Sequence, residues 1–140
     1  MNHEKLAAEL HVDEGKRARI YLDTEGNWTG GVGRNLSSRP FSEDEIALML
    51  RNDIRTAEKD LDRFLPWWRE MTEARQNVLA NMCFNLGISR LLKFVKALDL
   101  MRASRYDAAA KEMLDSKWAK QVGARARRLA EVMRKGEFVQ

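Results

Sequence analysis

Cysteine occurs once and histidine twice in the 140-residue chain. A single cysteine excludes an intrachain disulfide, so folding does not depend on an oxidising compartment. Cys83 lies in the apolar run Val78-Leu79-Ala80-Asn81-Met82-Cys83-Phe84 and reads as a small buried core residue. A nucleophilic cysteine wants a histidine, but His3 and His11 stand near the N-terminus with no clear relation to it. There is no Cys/His cluster, so neither a metal nor another cofactor is expected. Long apolar runs are missing too. No uninterrupted stretch approaches ~18 residues, which excludes a transmembrane helix and stable membrane insertion. His3, Glu4, Lys5 and Glu9 break any signal-peptide core in the first ten residues. The expectation is a protein made soluble in the compartment of its synthesis. If its substrate lies outside, something else must let it out.

What is present is a chain long enough for one folding unit with a real core. The formal net charge is +4. A basic protein meets polyanions faster. Nucleic acid, anionic membrane and bacterial cell wall all qualify, and charge does not choose among them. No internal repeat, low-complexity tract or long linker interrupts the chain.

Asn2 to Val12 spaces Leu6, Leu10 and alanines at helical intervals, and Gly15 suits a helix stop. Glu14 therefore falls at or just past a helix end. From Arg17 to Leu22, Ala18, Ile20 and Leu22 alternate with Arg17, Arg19 and Tyr21, predicting a strand with one buried face. Asp23-Thr24-Glu25-Gly26-Asn27 is turn chemistry, and Trp28 to Val32 returns as a glycine-rich strand. Ser42-Glu43-Asp44-Glu45 is a capping box. Behind it Ile46, Met49, Leu50, Ile54, Ala57 and Leu61 hold one stripe of a helix reaching near Phe64. Helices are predicted over Glu73–Leu86, Arg90–Ala103, Tyr106–Asp115 and Ala124–Lys135, with stops at Gly87 and Gly136. The fold class is α+β and mostly helical. A small β-hairpin lobe (about 13–42) is joined by a connecting helix (about 43–64) to a helical lobe (about 65–140 plus the N-terminal helix), all within one domain.

Glu14, Asp23 and Thr29 come from three elements and can converge at one mouth. Glycoside hydrolysis needs two carboxyl groups flanking the scissile bond, one protonated to donate and one ionised. Two acids near a turn are common and identify nothing by themselves. Here a Glu-Gly start is followed by Tyr21-Leu22-Asp23-Thr24-Glu25-Gly26 and then by Thr29-Gly30-Gly31-Val32-Gly33. That succession closely resembles the phage-type lysozymes, the muramidases of bacteriophage lysis and a family of glycoside hydrolases. Asn81-Met82-Cys83-Phe84-Asn85-Leu86-Gly87, Ser116-Lys117-Trp118 and Arg125-Ala126-Arg127-Arg128 resemble later segments of the family in order.

The resemblance implies a general acid at Glu14, a carboxylate on the opposite side of the sugar at Asp23, and a water-placing hydroxyl at Thr29. It implies inversion, which keeps the carboxyl groups roughly 6.5–9.5 Å apart. It aligns Asn35, Phe84, Ala97 and Glu112 with sugar-contact positions, although only Phe84 keeps the family residue. It pairs Arg125 with Glu14 and Arg128 with Asp13; a plain basic helix face is the alternative reading of the two arginines. The implied partner is bacterial peptidoglycan, cut at the β-1,4 bond between N-acetylmuramic acid and N-acetylglucosamine. The implied setting is a monomeric endolysin in the host cytoplasm that reaches the periplasmic wall through a holin and lyses the host. Carriage in a phage particle is another route.

Three departures stand out. Gly30 replaces a bulky apolar residue, which should loosen the second strand. Arg34 replaces a histidine, and an Arg34–Asp53 pair is expected. The connection from Gly33 to Ser42 is short. Among the tryptophans, Trp28 is the leading cleft candidate and Trp118 reads as structural. The alternatives are a lytic transglycosylase, a non-catalytic wall-binding protein, and a basic helical nucleic-acid binder resting on Lys117 to Arg128. Retention of Glu14, Asp23 and Thr29 favours hydrolysis, with no nucleic-acid partner.

Overall fold

The computed structural model describes residues 1–139. The chain forms two compact units, Met1–Ala47 and Leu48 onward. The fold is mostly helical, with one small antiparallel sheet.

The first unit opens with α1 (His3–Glu14). Asn2 caps it, its Oδ1 accepting the Lys5 N–H at 3.0 Å, and Gly15 stops it at φ 76°. β1 (Arg17–Leu22), β2 (Trp28–Gly31) and β3 (Arg34–Asn35) follow as a three-stranded meander in that order. β2 is central, and its Thr29 lies opposite Tyr21 on one side and Asn35 on the other.

β1 has the predicted bounds but not the predicted buried face. Ile20 and Leu22 are 62% and 55% exposed. The buried residues of the sheet are Thr29 and Gly30, on the central strand. The reason lies opposite Ile20. A Cβ on Gly30 would meet Leu36 Cδ1 at 3.2 Å and Ile20 Cγ2 at 3.6 Å. Those two side chains close over the bare glycine, so Ile20 spends one side on Gly30 and leaves the other open. Gly30 is thus a filled position rather than a loose one.

α2 (Glu43–Phe64) starts in the first unit and continues into the second. The predicted capping box forms in both directions. The Ser42 N–H donates to Glu45 Oε1 at 2.8 Å, and the Glu45 N–H donates to Ser42 Oγ at 3.2 Å. Of the expected apolar stripe, Ala57 and Leu61 are buried.

In the second unit a 3₁₀ turn (Pro66–Glu70) leads to α3 (Glu73–Leu86), α4 (Ile88–Leu91), α5 (Val95–Arg102), α6 (Tyr106–Leu114), α7 (Lys117–Val122) and α8 (Ala124–Lys135). Its core holds Leu61, Val78, Leu79, Leu91 and four methionines, Met82, Met101, Met113 and Met133. Each such burial stabilises by about 1.5–3 kcal/mol before entropy is counted. Cys83 is buried among them, as expected, and burial first, then the charge of Asp60, pushes its thiol up. α6 and α8 pack together with Ala109, Ala110, Ala126 and Ala130 all buried, small residues that let the helices approach.

Thr72 and Arg75 tie the start of α3 to the end of α8. Thr72 Oγ1 accepts the Arg75 N–H and donates to Gly136 O at 2.9 Å. The Arg75 guanidinium donates to Met133 O at 2.7 Å and Arg134 O at 3.0 Å while lying 3.4 Å from the Tyr106 ring centroid. A cation is thereby placed on the orphan carbonyls at the negative end of α8.

One expectation changes here, and one helix is added. The single helix predicted over Arg90–Ala103 is broken into α4 and α5, because Phe94 leaves helical geometry and sets its ring edge-on to Trp118, centroids 5.9 Å apart. The segment around Trp118, which lies between two of the predicted helices, is itself a short helix, α7, capped by Ser116 Oγ accepting the Ala119 N–H at 3.1 Å. Among the described residues no helix is long and apolar enough to cross a membrane.

Candidate active site

The candidate residues divide between the units. Asp13, Glu14, Asp23, Thr29 and Asn35 fall in the first; Phe84, Ala97, Glu112, Arg125 and Arg128 fall in the second.

In the first unit Glu14 is the last residue of α1 and is exposed, with Asp13 exposed beside it. Asp23 follows β1 directly and is half-buried. Its Oδ1 accepts two backbone N–H groups, from Glu25 at 2.9 Å and Asn27 at 2.8 Å. The Asp23 carbonyl also accepts the Gly26 N–H, and the Asp23 N–H donates to Asn27 O. One carboxylate oxygen therefore builds the β1–β2 turn, and the other takes no part in those bonds. Thr29 is 5% exposed, and its hydroxyl donates to Asn27 O at 3.1 Å. A hydroxyl whose proton is used this way offers lone pairs to any further partner. Asn35, opposite Thr29 in the ladder, holds the next turn, its Oδ1 accepting from Ser37 N and Ser38 N.

Arg34 is paired, but not with Asp53. Its guanidinium meets the Glu45 carboxylate. The capping box that opens α2 supplies the acid, so a helix-start residue does the work assigned to a mid-helix one. The Ser42 N–H bond first, and Arg34 second, hold the Glu45 carboxyl below its ordinary range. Stability from a depressed carboxyl is present above its unfolded pKa and is lost as pH falls through the folded one. Glu45→Gln keeps an oxygen for the Ser42 N–H but loses the charge. Its melting temperature is expected to lie modestly below wild type near neutral pH and to converge with it as pH falls through the lowered titration of the Glu45 carboxyl. Melts of both proteins across that range read this directly; a gap that persists at low pH would assign the effect to something other than the ionised pair.

In the second unit Arg125 Nε and Nη2 both donate to Asn81 Oδ1, at 3.0 and 2.7 Å. Both residues line a groove of about 390 Å³ with Phe84, Leu50 and Ile54. Arg128 is exposed on α8. Ala97 and Glu112 line a different groove, of about 520 Å³. Three cations that the sequence reading did not single out, Arg90, Lys93 and Lys96, border it together with Lys117. The regular spacing of the first three was the available signal. Phe94 and Trp118 also line it, and Trp118 is buried, with its indole N–H donating to Asn85 Oδ1 at 2.8 Å. Trp118 is structural, as expected. Trp68 is buried as well and donates to Asp62, whereas Trp28 is 47% exposed.

A family model described as phage lysozyme matches residues 11–135. The pre-baseplate central spike protein of Enterobacteria phage T4 is 26% identical over 95% of this chain, which spans only 28% of that protein. Probable T4-type lysozymes 1 and 2 of Dictyostelium discoideum are 26% and 27% identical over 91% of this chain and 92% of theirs.

Proposed function

This chain belongs to the phage lysozyme family, and from that membership we propose that it is a muramidase, hydrolysing the β-1,4 bond between N-acetylmuramic acid and N-acetylglucosamine in peptidoglycan. The observation that carries the reading is that Glu14, Asp23 and Thr29, at the family's interval, fold into one small unit. There they come from a helix end, a turn and a central strand.

The chemistry follows from those placements. Glu14 donates a proton to the glycosidic oxygen as the bond breaks. The free oxygen of Asp23 faces the positive charge that develops on the sugar and takes a proton from the attacking water. Thr29 Oγ accepts the water's other hydrogen, because its own proton is held by Asn27 O. Water enters opposite the leaving group, so the anomeric carbon inverts. The groove lined by Ala97 and Glu112 gives the wall polymer a second place to rest, and its cations suit an anionic one. The biological role that fits is lysis of a phage host, with a holin opening the way to the wall.

Product analysis tests the reading. Digested sacculi should yield hydrated reducing ends of N-acetylmuramic acid in mass spectra. Anhydro ends would instead make the protein a transglycosylase, which needs Glu14 but no water-activating carboxylate.

A further inference from the structure

Gly33 lies in the two-residue turn between β2 and β3, at φ +62°. A Cβ built there would fall 2.6 Å from Glu14 Oε2, 2.9 Å from its Cδ and 2.8 Å from its Cβ. The first two atoms belong to a flexible end and could swing aside. The third is fixed to the backbone of α1, so no rotation of Glu14 would make room. A side chain at position 33 forces either the last turn of α1 or the β2–β3 turn to move.

We propose that Gly33 is a positioning residue for Glu14: its bare backbone forms the surface against which the stem and carboxyl of Glu14 are seated. The proposal rests on the reading of Glu14 as the proton donor. Backbone conformation alone does not explain the glycine. Gly31 has the same φ, +62°, yet a Cβ there meets nothing within 4 Å. Gly15 and Gly26 are also left-handed and also open. Of these four glycines of the first unit, Gly33 is the one whose missing side chain is occupied by a neighbour, and that neighbour is the candidate acid.

Gly31 supplies the control. Gly31→Ala and Gly33→Ala carry the same left-handed strain, but only Gly33→Ala displaces Glu14. The kcat of Gly33→Ala is expected to fall about 100-fold below that of Gly31→Ala, since misplacing a catalytic group by about 1 Å costs that much. KM should stay within about threefold, because substrate still binds. The basic limb of the kcat–pH profile, which reports the donor, should move in Gly33→Ala alone. Equal kcat values and superimposable profiles for the two variants would overturn the proposal.

A stability cycle covers the case in which Gly33→Ala folds poorly. Glu14→Gly removes the three atoms nearest to the new methyl, all of them under 3.0 Å from it. In that background Gly33→Ala should lower the melting temperature no more than Gly31→Ala does; an undiminished excess loss would show that Glu14 is not what excludes a side chain. The two levels of failure separate cleanly. If Glu14→Gln digests the wall as fast as wild type, the catalytic reading falls. If Glu14→Gln is inactive while Gly33→Ala matches Gly31→Ala, only the positioning role falls.

Discussion

Asp23→Asn should melt within about 2 °C of wild type yet lose wall-digesting activity by about 10²- to 10⁴-fold. In the proposed mechanism Asp23 holds two jobs on one side chain. Its Oδ1 accepts the Glu25 and Asn27 N–H groups that shape the β1–β2 turn. An asparagine carbonyl oxygen takes over that job, because an Asx turn needs an acceptor and not a charge. What asparagine cannot do is carry negative charge beside the sugar or take a proton from water. Asp23→Ala removes both functions and should lose stability as well as activity. Thermal melts alongside a turbidity assay on permeabilised Gram-negative cells separate the two. Substantial activity in a well-folded Asp23→Asn would reduce Asp23 to a turn former.

Glu14→Gln should lose activity on a similar scale, because removing a positioned general acid costs about 10²- to 10⁴-fold. The change is nearly isosteric, and glutamine can occupy the same seat against Gly33. Its stability should not fall. Glu14 closes α1, where the helix dipole is negative and a carboxylate is unwelcome. Neutralising it should leave the melting temperature unchanged or raise it by about a degree or two. Loss of function without loss of stability is the signature of a residue kept for chemistry. A variant that is inactive because it is unfolded would not count toward the assignment.

Much of the fold was legible because its boundaries are local. The bounds of α3 and α8 follow from glycines at their ends, and the start of α2 from the Ser42–Glu45 box. The break between α4 and α5 was not, because it depends on Phe94 finding Trp118 across the second unit. α7 carried a readable Ser116 cap, but six residues are too few for a periodic signal. Strand β1 shows the limit of alternation. Its pattern marks which residues share a face, but the cover on that face depends on what stands opposite, here a glycine. At the candidate site, Glu14, Asp23 and Thr29 were proposed from their interval. The seat of Glu14 on Gly33 was not, since it arises only when α1 and the β2–β3 turn meet. The Arg34 partner was misassigned by alignment and corrected by geometry.

Purified sacculi digested in parallel by wild type and Glu14→Gln at matched, folded concentrations put the proton-donor assignment to the most direct test. New reducing ends released per minute are the quantity to measure. Wild type should release them steadily, and Glu14→Gln about 10²- to 10⁴-fold more slowly. Equal release by the two proteins, or none by wild type, would contradict it.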